Sequence, residues 1–154
     1  MSSLWNTRCP FHSFVAGGLL VGIGFALSTW TNRIRRNQSL ERFDVSSRFT
    51  ELIKYGDLVF MSGQLGEGET IEEQTRNALS IIDSLLEKAG TNKNNIVELT
   101  IWLQDIERDY NGMNKVYDDW LPKDGPPPPR ACIEAKLFSK KYFVEIRAVA
   151  VIPK

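Results

Sequence analysis

Residues 125–147 read GPPPPRACIEAKLFSKKYFVEIR, and the rest of the chain is organised around them. Proline fixes φ and stiffens an extended chain, so the prolines at 126–129 hold the approach to Arg130 rigid. Two alternating patterns follow, as strands require. The first sets Ala131, Ile133, Ala135 and Leu137 against Cys132, Glu134 and Lys136. The second sets Tyr142, Val144, Ile146 and Ala148 against Phe143, Glu145, Arg147 and Val149. Pairing the two around residues 139–141 puts Cys132 and Glu145 on the side away from the aliphatic core. A guanidinium on a stiff lead-in and a carboxylate on a nearby strand suffice to grip a planar carboxylate and place a water. The same pattern fits a surface ion pair near a sheet edge.

Outward from this stretch, 154 residues with 42% hydrophobic and 25% charged side chains suit one soluble domain plus an extension. The formal net charge of zero conceals an asymmetry. Residues 1–40 carry Arg8, Arg33, Arg35 and Arg36 and no acid, which leaves 15 basic against 19 acidic groups, a net of −4, on residues 41–154. An acidic domain without a basic or aromatic stripe argues against nucleic acid as a partner, because phosphate neutralisation supplies most non-specific affinity. Cys9 and Cys132 make no metal-ligand spacing, and the single histidine, His12, lies in the extension. The domain therefore has no Ser-His or Cys-His nucleophile and no His-ligated metal site, and neither metal nor cofactor is expected.

Residues 14–30 are apolar or small and uncharged, with Arg33, Arg35 and Arg36 directly after them. Seventeen residues sit at the short end for a membrane span. An acid-free segment with arginine but no lysine also reads as a cleaved targeting peptide. The extension thus predicts an address, as a membrane anchor or as a signal for delivery to the mitochondrion. The alternative is an uncleaved extension on a cytoplasmic protein.

Residues 37–47 are polar and read as a linker. Residues 48–55 and 58–64 read as two strands joined by a turn at Gly56-Asp57. Gly63 suits either close approach of a ligand or a bulge. Thr70 with Glu73 makes a capping box, and Ile71, Ala78, Ile82, Leu85 and Ala89 keep helical spacing up to Gly90, a helix of about 19 residues. Residues 96–103 read as a strand with Val97, Leu99, Ile101 and Leu103 on one face. Residues 105–120 read as a second helix, with Tyr110, Met113, Tyr117 and Trp120 inward and Asn114 beside that stripe. Strand, strand, helix, strand, helix, strand, strand predicts an α+β fold: one mixed sheet with two helices on a single face. The other face, expected to carry Cys132, Phe143, Val149 and Val151, predicts a partner.

Several separated motifs resemble one family in the right order: Met61-Ser62-Gly63-Gln64, Asn114 ahead of Tyr117, Pro129-Arg130-Ala131-Cys132, and Val144-Glu145-Ile146. Over about residues 42–152 the chain resembles the reactive intermediate deaminase family (RidA, also called YjgF). The resemblance implies a chorismate-mutase-like fold, three sheets closing a homotrimeric barrel, and active sites between subunits. It implies hydrolysis of reactive 2-imino acids and their enamine tautomers to 2-oxo acids and ammonia, without a cofactor. Arg130 would then clamp the substrate carboxylate and Glu145 would place the attacking water, making them the catalytic pair. Asn114, Gly63, Phe49 and Cys132 would line the substrate site, with Cys132 a packing residue rather than a nucleophile. Phe49 stands where many members carry tyrosine, and Arg147 where many carry a second glutamate; Arg147 is expected to pair with Glu145 and lower its basicity. A non-catalytic trimer binding small carboxylates or a protein partner is the alternative. A ribonuclease or translation-inhibitor role, attached to some members, conflicts with the domain's charge.

Overall fold

The computed structural model describes residues 39–123 and 125–154. Among them the chain forms seven strands, two α-helices and one short 3-10 turn, Lys93–Asn95. The strands are β1 (Leu40–Val45), β2 (Thr50–Tyr55), β3 (Leu58–Met61), β4 (Gln64–Leu65), β5 (Ile96–Leu103), β6 (Arg130–Glu134) and β7 (Val144–Val151). The helices are α1 (Ile71–Ala89) and α2 (Ile106–Trp120). The sheet runs β1-β2-β3-β7-β5-β6, with β4 also on β7. All pairings are antiparallel except β5 with β6, which are parallel and joined through α2.

Three of the four helix boundaries have a local cause. Thr70 Oγ1 accepts from Glu73 N (3.2 Å), and Glu73 Oε2 accepts from Thr70 N (3.3 Å), closing the expected capping box. Gly90 ends α1 at φ 83°, where a Cβ would be strained. Asp105 caps α2 by accepting from Arg108 N at 3.0 Å. Both helices cover one sheet face. There Ala78, Leu79, Ile82 and Leu86 of α1 and Met113, Val116 and Tyr117 of α2 meet Leu52, Val59, Leu99, Ile101, Leu103, Val144, Ile146, Ala148 and Ala150.

Several expectations are corrected. Residues 40–45, read as linker, form an edge strand; only Phe43 packs toward the core, so the stretch carries little apolar signal. β6 and β7 do not pair with each other, because β5 lies between them. The parallel β5–β6 register sets Leu99 opposite Arg130 and Ile101 opposite Cys132. Arg130 and Cys132 therefore face the helices, whereas Ala131 and Ile133 face outward, the reverse of the expected assignment. Tyr110 is exposed, and Asp109 rather than Tyr110 turns inward on α2.

The uncovered face carries Tyr55, Leu58, Phe60 and Ile133, all exposed, together with Val149 and Val151. Cys132 is not part of it. Among the described residues no helix is long and apolar enough to cross a membrane. Residues 14–30, read as an anchor or targeting segment, lie outside the described residues.

Candidate functional site

The six residues expected at the site separate into two groups on the two sides of the sheet. The first group is Arg130, Asn114 and Cys132. The proline run leads directly into β6, and the Pro129 carbonyl already accepts from Leu99 N at 3.1 Å. Arg130 Nη2 donates to Asn114 Oδ1 at 2.7 Å, and its Cζ lies 4.5 Å from the Tyr117 ring centroid. Asn114 and Tyr117 are three residues apart on α2, so they present to the same side. No carboxylate among the described residues pairs with Arg130, and its Nη1 is buried without a hydrogen-bond partner. Cys132 packs against the core; burial pushes its thiol up, Arg130 pulling weakly the other way. A thiol held neutral suits the packing role.

The second group is Glu145, Gly63 and Phe49. Trp102 is the cross-strand neighbour of Glu145, which places the carboxylate on the uncovered face. Gly63 sits at the break between β3 and β4. A Cβ there would overlap Glu145 Oε1, so the glycine is required by the carboxylate itself. Three polar side chains hold the break in shape. Glu51 Oε2 accepts from Ser62 Oγ (2.7 Å) and from Gln64 Nε2 (2.9 Å), and Gln64 is buried. Ser62 and Gln64 belong to a motif legible in the sequence, whereas Glu51 reaches them from the neighbouring strand and leaves no local signal. Phe49 directly precedes β2 and is 53% exposed, with its carbonyl accepting from Ser46 N at 2.9 Å.

Burial alone pushes the Glu145 carboxyl above its ordinary value. The expected pairing with Arg147 is absent: the Arg147 guanidinium lies 5.9 Å from the Trp102 ring centroid, and Glu145 is not lowered by it. A second device braces the Glu145 strand. The fully buried Gln74 donates Nε2 to the carbonyls of Gly68 (3.0 Å) and Lys141 (2.9 Å) and accepts from Phe143 N (2.7 Å). It ties α1 to both loops that flank Glu145.

A mixed sheet covered on one side by two helices, with a guanidinium on the covered side and a carboxylate on the other, makes this a small α+β domain. A sequence model of the family described as Endoribonuclease L-PSP matches residues 39–152. The chain is 39% identical over 116 residues to a RutC family protein of Haemophilus influenzae, covering 73% of this chain and 97% of that one. It is 35% identical to the RutC family protein YoaB of Escherichia coli K12, covering 74% and 99%. A crystal structure of a YjgF family member from Neisseria meningitidis superposes with a TM-score of 0.73 at 36% identity, over 77% of this chain and 98% of that one. The structure titled RidA from a Psychrobacter species gives 0.64 at 27%, over 70% and 91%. The chain belongs to the YjgF/RutC family, some of whose members are named RidA.

Proposed function

We propose that the domain hydrolyses small 2-imino acids to 2-oxo acids and ammonia, at sites completed between copies of the chain. One observation carries the reading: Arg130 is a half-buried guanidinium, oriented by Asn114, with no carboxylate partner among the described residues. Such a group is costly to keep unless an anion takes it up. A substrate carboxylate supplies that anion through directional, charge-assisted hydrogen bonds.

Glu145 supplies the second half. Its carboxylate takes a proton from water as the water oxygen adds to the imine carbon. The C=N π electrons move to nitrogen, which is protonated. Loss of a proton from the new hydroxyl and protonation of the amine then release ammonia as the C–N bond breaks, leaving the 2-oxo acid. A carboxyl raised by burial transfers protons more effectively near neutral pH than an ordinary one. Imines hydrolyse readily in water, so orientation and a placed water supply enough.

Arg130 and Glu145 belong to opposite faces, so a single chain does not bring them to one substrate. A homotrimer in which one copy's open face meets the β6 side of the next fits both the exposed apolar residues and the family resemblance. The experiment is imine decay: an amino-acid oxidase generates aliphatic and aromatic 2-imino acids in situ, and the domain accelerates their loss. No acceleration across the panel, with 2-oxo acid binding retained, leaves carboxylate binding as the function. Residues 1–40 remain, in our reading, an address, and the mass of the protein isolated from its cell, with fractionation, tests that.

A further inference from the structure

Tyr117 is 3% exposed, and its hydroxyl is buried without a hydrogen-bond partner. A buried phenol ordinarily finds one, since an unmet polar group forfeits its hydration. The ring is better placed than the hydroxyl: the Arg130 Cζ lies 4.5 Å from its centroid, inside the range in which a guanidinium is drawn to an aromatic face. Trp120 also packs against Tyr117, with ring centroids 6.0 Å apart, so the ring is itself braced. Asn114 fixes one nitrogen of Arg130 at 2.7 Å. One hydrogen bond sets a point but leaves the guanidinium plane free to rotate about it. A second constraint is needed to aim a planar fork.

We propose that Tyr117 is a positioning residue that sets the plane of the Arg130 guanidinium through its ring face, not through its hydroxyl. The inference rests on the carboxylate-binding role of Arg130 given above. Asn114 and Tyr117, one turn apart on α2, then act as a two-point cradle. α2 becomes part of the binding apparatus although it need not touch substrate. Burial raises the Tyr117 phenol, Arg130 opposing, so at physiological pH the guanidinium meets a neutral ring through its quadrupole.

The test uses the full chain, 2-oxobutanoate as probe carboxylate, and the imine assay. Y117L is expected to weaken 2-oxobutanoate binding and raise KM about fivefold to tenfold, the measure of a partly desolvated cation–π contact, with kcat nearly held. Y117F keeps the ring and is expected to rescue most of the affinity without lowering the thermal midpoint, because it removes an unpartnered hydroxyl. In nitrogen–proton spectra the Arg130 guanidinium protons, identified by their loss in R130K, are expected upfield of other arginines in wild type and Y117F but not in Y117L. Y117L binding as wild type does, or Y117F as weak as Y117L, overturns the proposal. Absence of imine turnover would sink the deaminase reading while binding and spectra still decide this one. If Y117L does not fold, or no carboxylate binds, the wild-type spectrum decides: Arg130 protons without an upfield shift overturn the proposal.

Discussion

Arg130 and Glu145 leave opposite faces of one sheet: Arg130 lies opposite Leu99 on the helix side, and Glu145 lies opposite Trp102 on the open side. The two groups of the proposed site thus leave one chain on different sides of its sheet. A shared site predicts complementation. Arg130→Ala and Glu145→Gln should each be nearly inactive, yet unfolding and refolding them as an equal mixture should restore about a quarter of wild-type sites, those pairing an intact arginine with a neighbour's intact glutamate. No recovery in refolded mixed trimers would show that both groups act from one chain.

Arg130 should govern affinity. Losing a hydrogen bond to a charged group costs roughly 1.5–3 kcal/mol, so Arg130→Ala should cut kcat/KM at least about tenfold. Arg130→Lys should rescue it poorly, since an ammonium cannot reproduce the planar fork. Steady-state kinetics on the three proteins check this.

Glu145→Gln should lower turnover while 2-oxo acids still bind, and it should also reveal the cost of burial. The folded carboxyl is raised above its ordinary 4.5, so its contribution to stability is present below that value and is lost as pH rises through the raised one. At pH 7 the glutamine variant should therefore melt no lower than wild type, with any advantage shrinking below pH 4.5. The acid limb of wild-type kcat/KM should fall above the ordinary carboxylate range.

Gly63→Ala should leave the fold intact and damage the chemistry. The added methyl meets the flexible end of Glu145 rather than backbone, so the carboxylate moves aside. Turnover should fall more than binding; circular dichroism with kinetics separates the two.

Cys132 should be sluggish toward alkylation. In a Cys9→Ser background, iodoacetamide at pH 7 should modify the folded chain more slowly than the urea-unfolded one, because thiolate, not thiol, reacts. The rate should climb only as pH passes through the raised value.

Much of this was legible in the residues. The capping box at Thr70 and Glu73, Gly90 and the alternation of Leu99, Ile101 and Leu103 are local signals that mark the observed bounds of α1 and β5. Val97, expected on that same β5 face, is exposed, because a bulge at residues 96–98 breaks the alternation. The separated motifs led to the family and to the six candidate residues. What failed was long-range. Alternation in residues 131–137 shows that side chains take turns but not which turn faces the helices; the parallel register with β5 decides that. β1 was missed because an edge strand with one packed aromatic needs little apolar sequence. Shared parity points Arg147 to Glu145, whereas its guanidinium lies over the ring of Trp102 on the neighbouring strand.

β7 follows the other six described strands in chain order yet sits in the middle of the sheet, between β3 and β5. Until residues 144–151 have left the ribosome, the strands on either side have nothing to join them, and α1 lacks the surface it covers. Synthesis therefore leaves the apolar stripes of the earlier elements uncovered until β7 emerges, and folding of the domain waits on that strand. A break within β7 should not trim this domain but prevent it. A nonsense change in the codons of β7 would be as damaging to the domain as one far upstream.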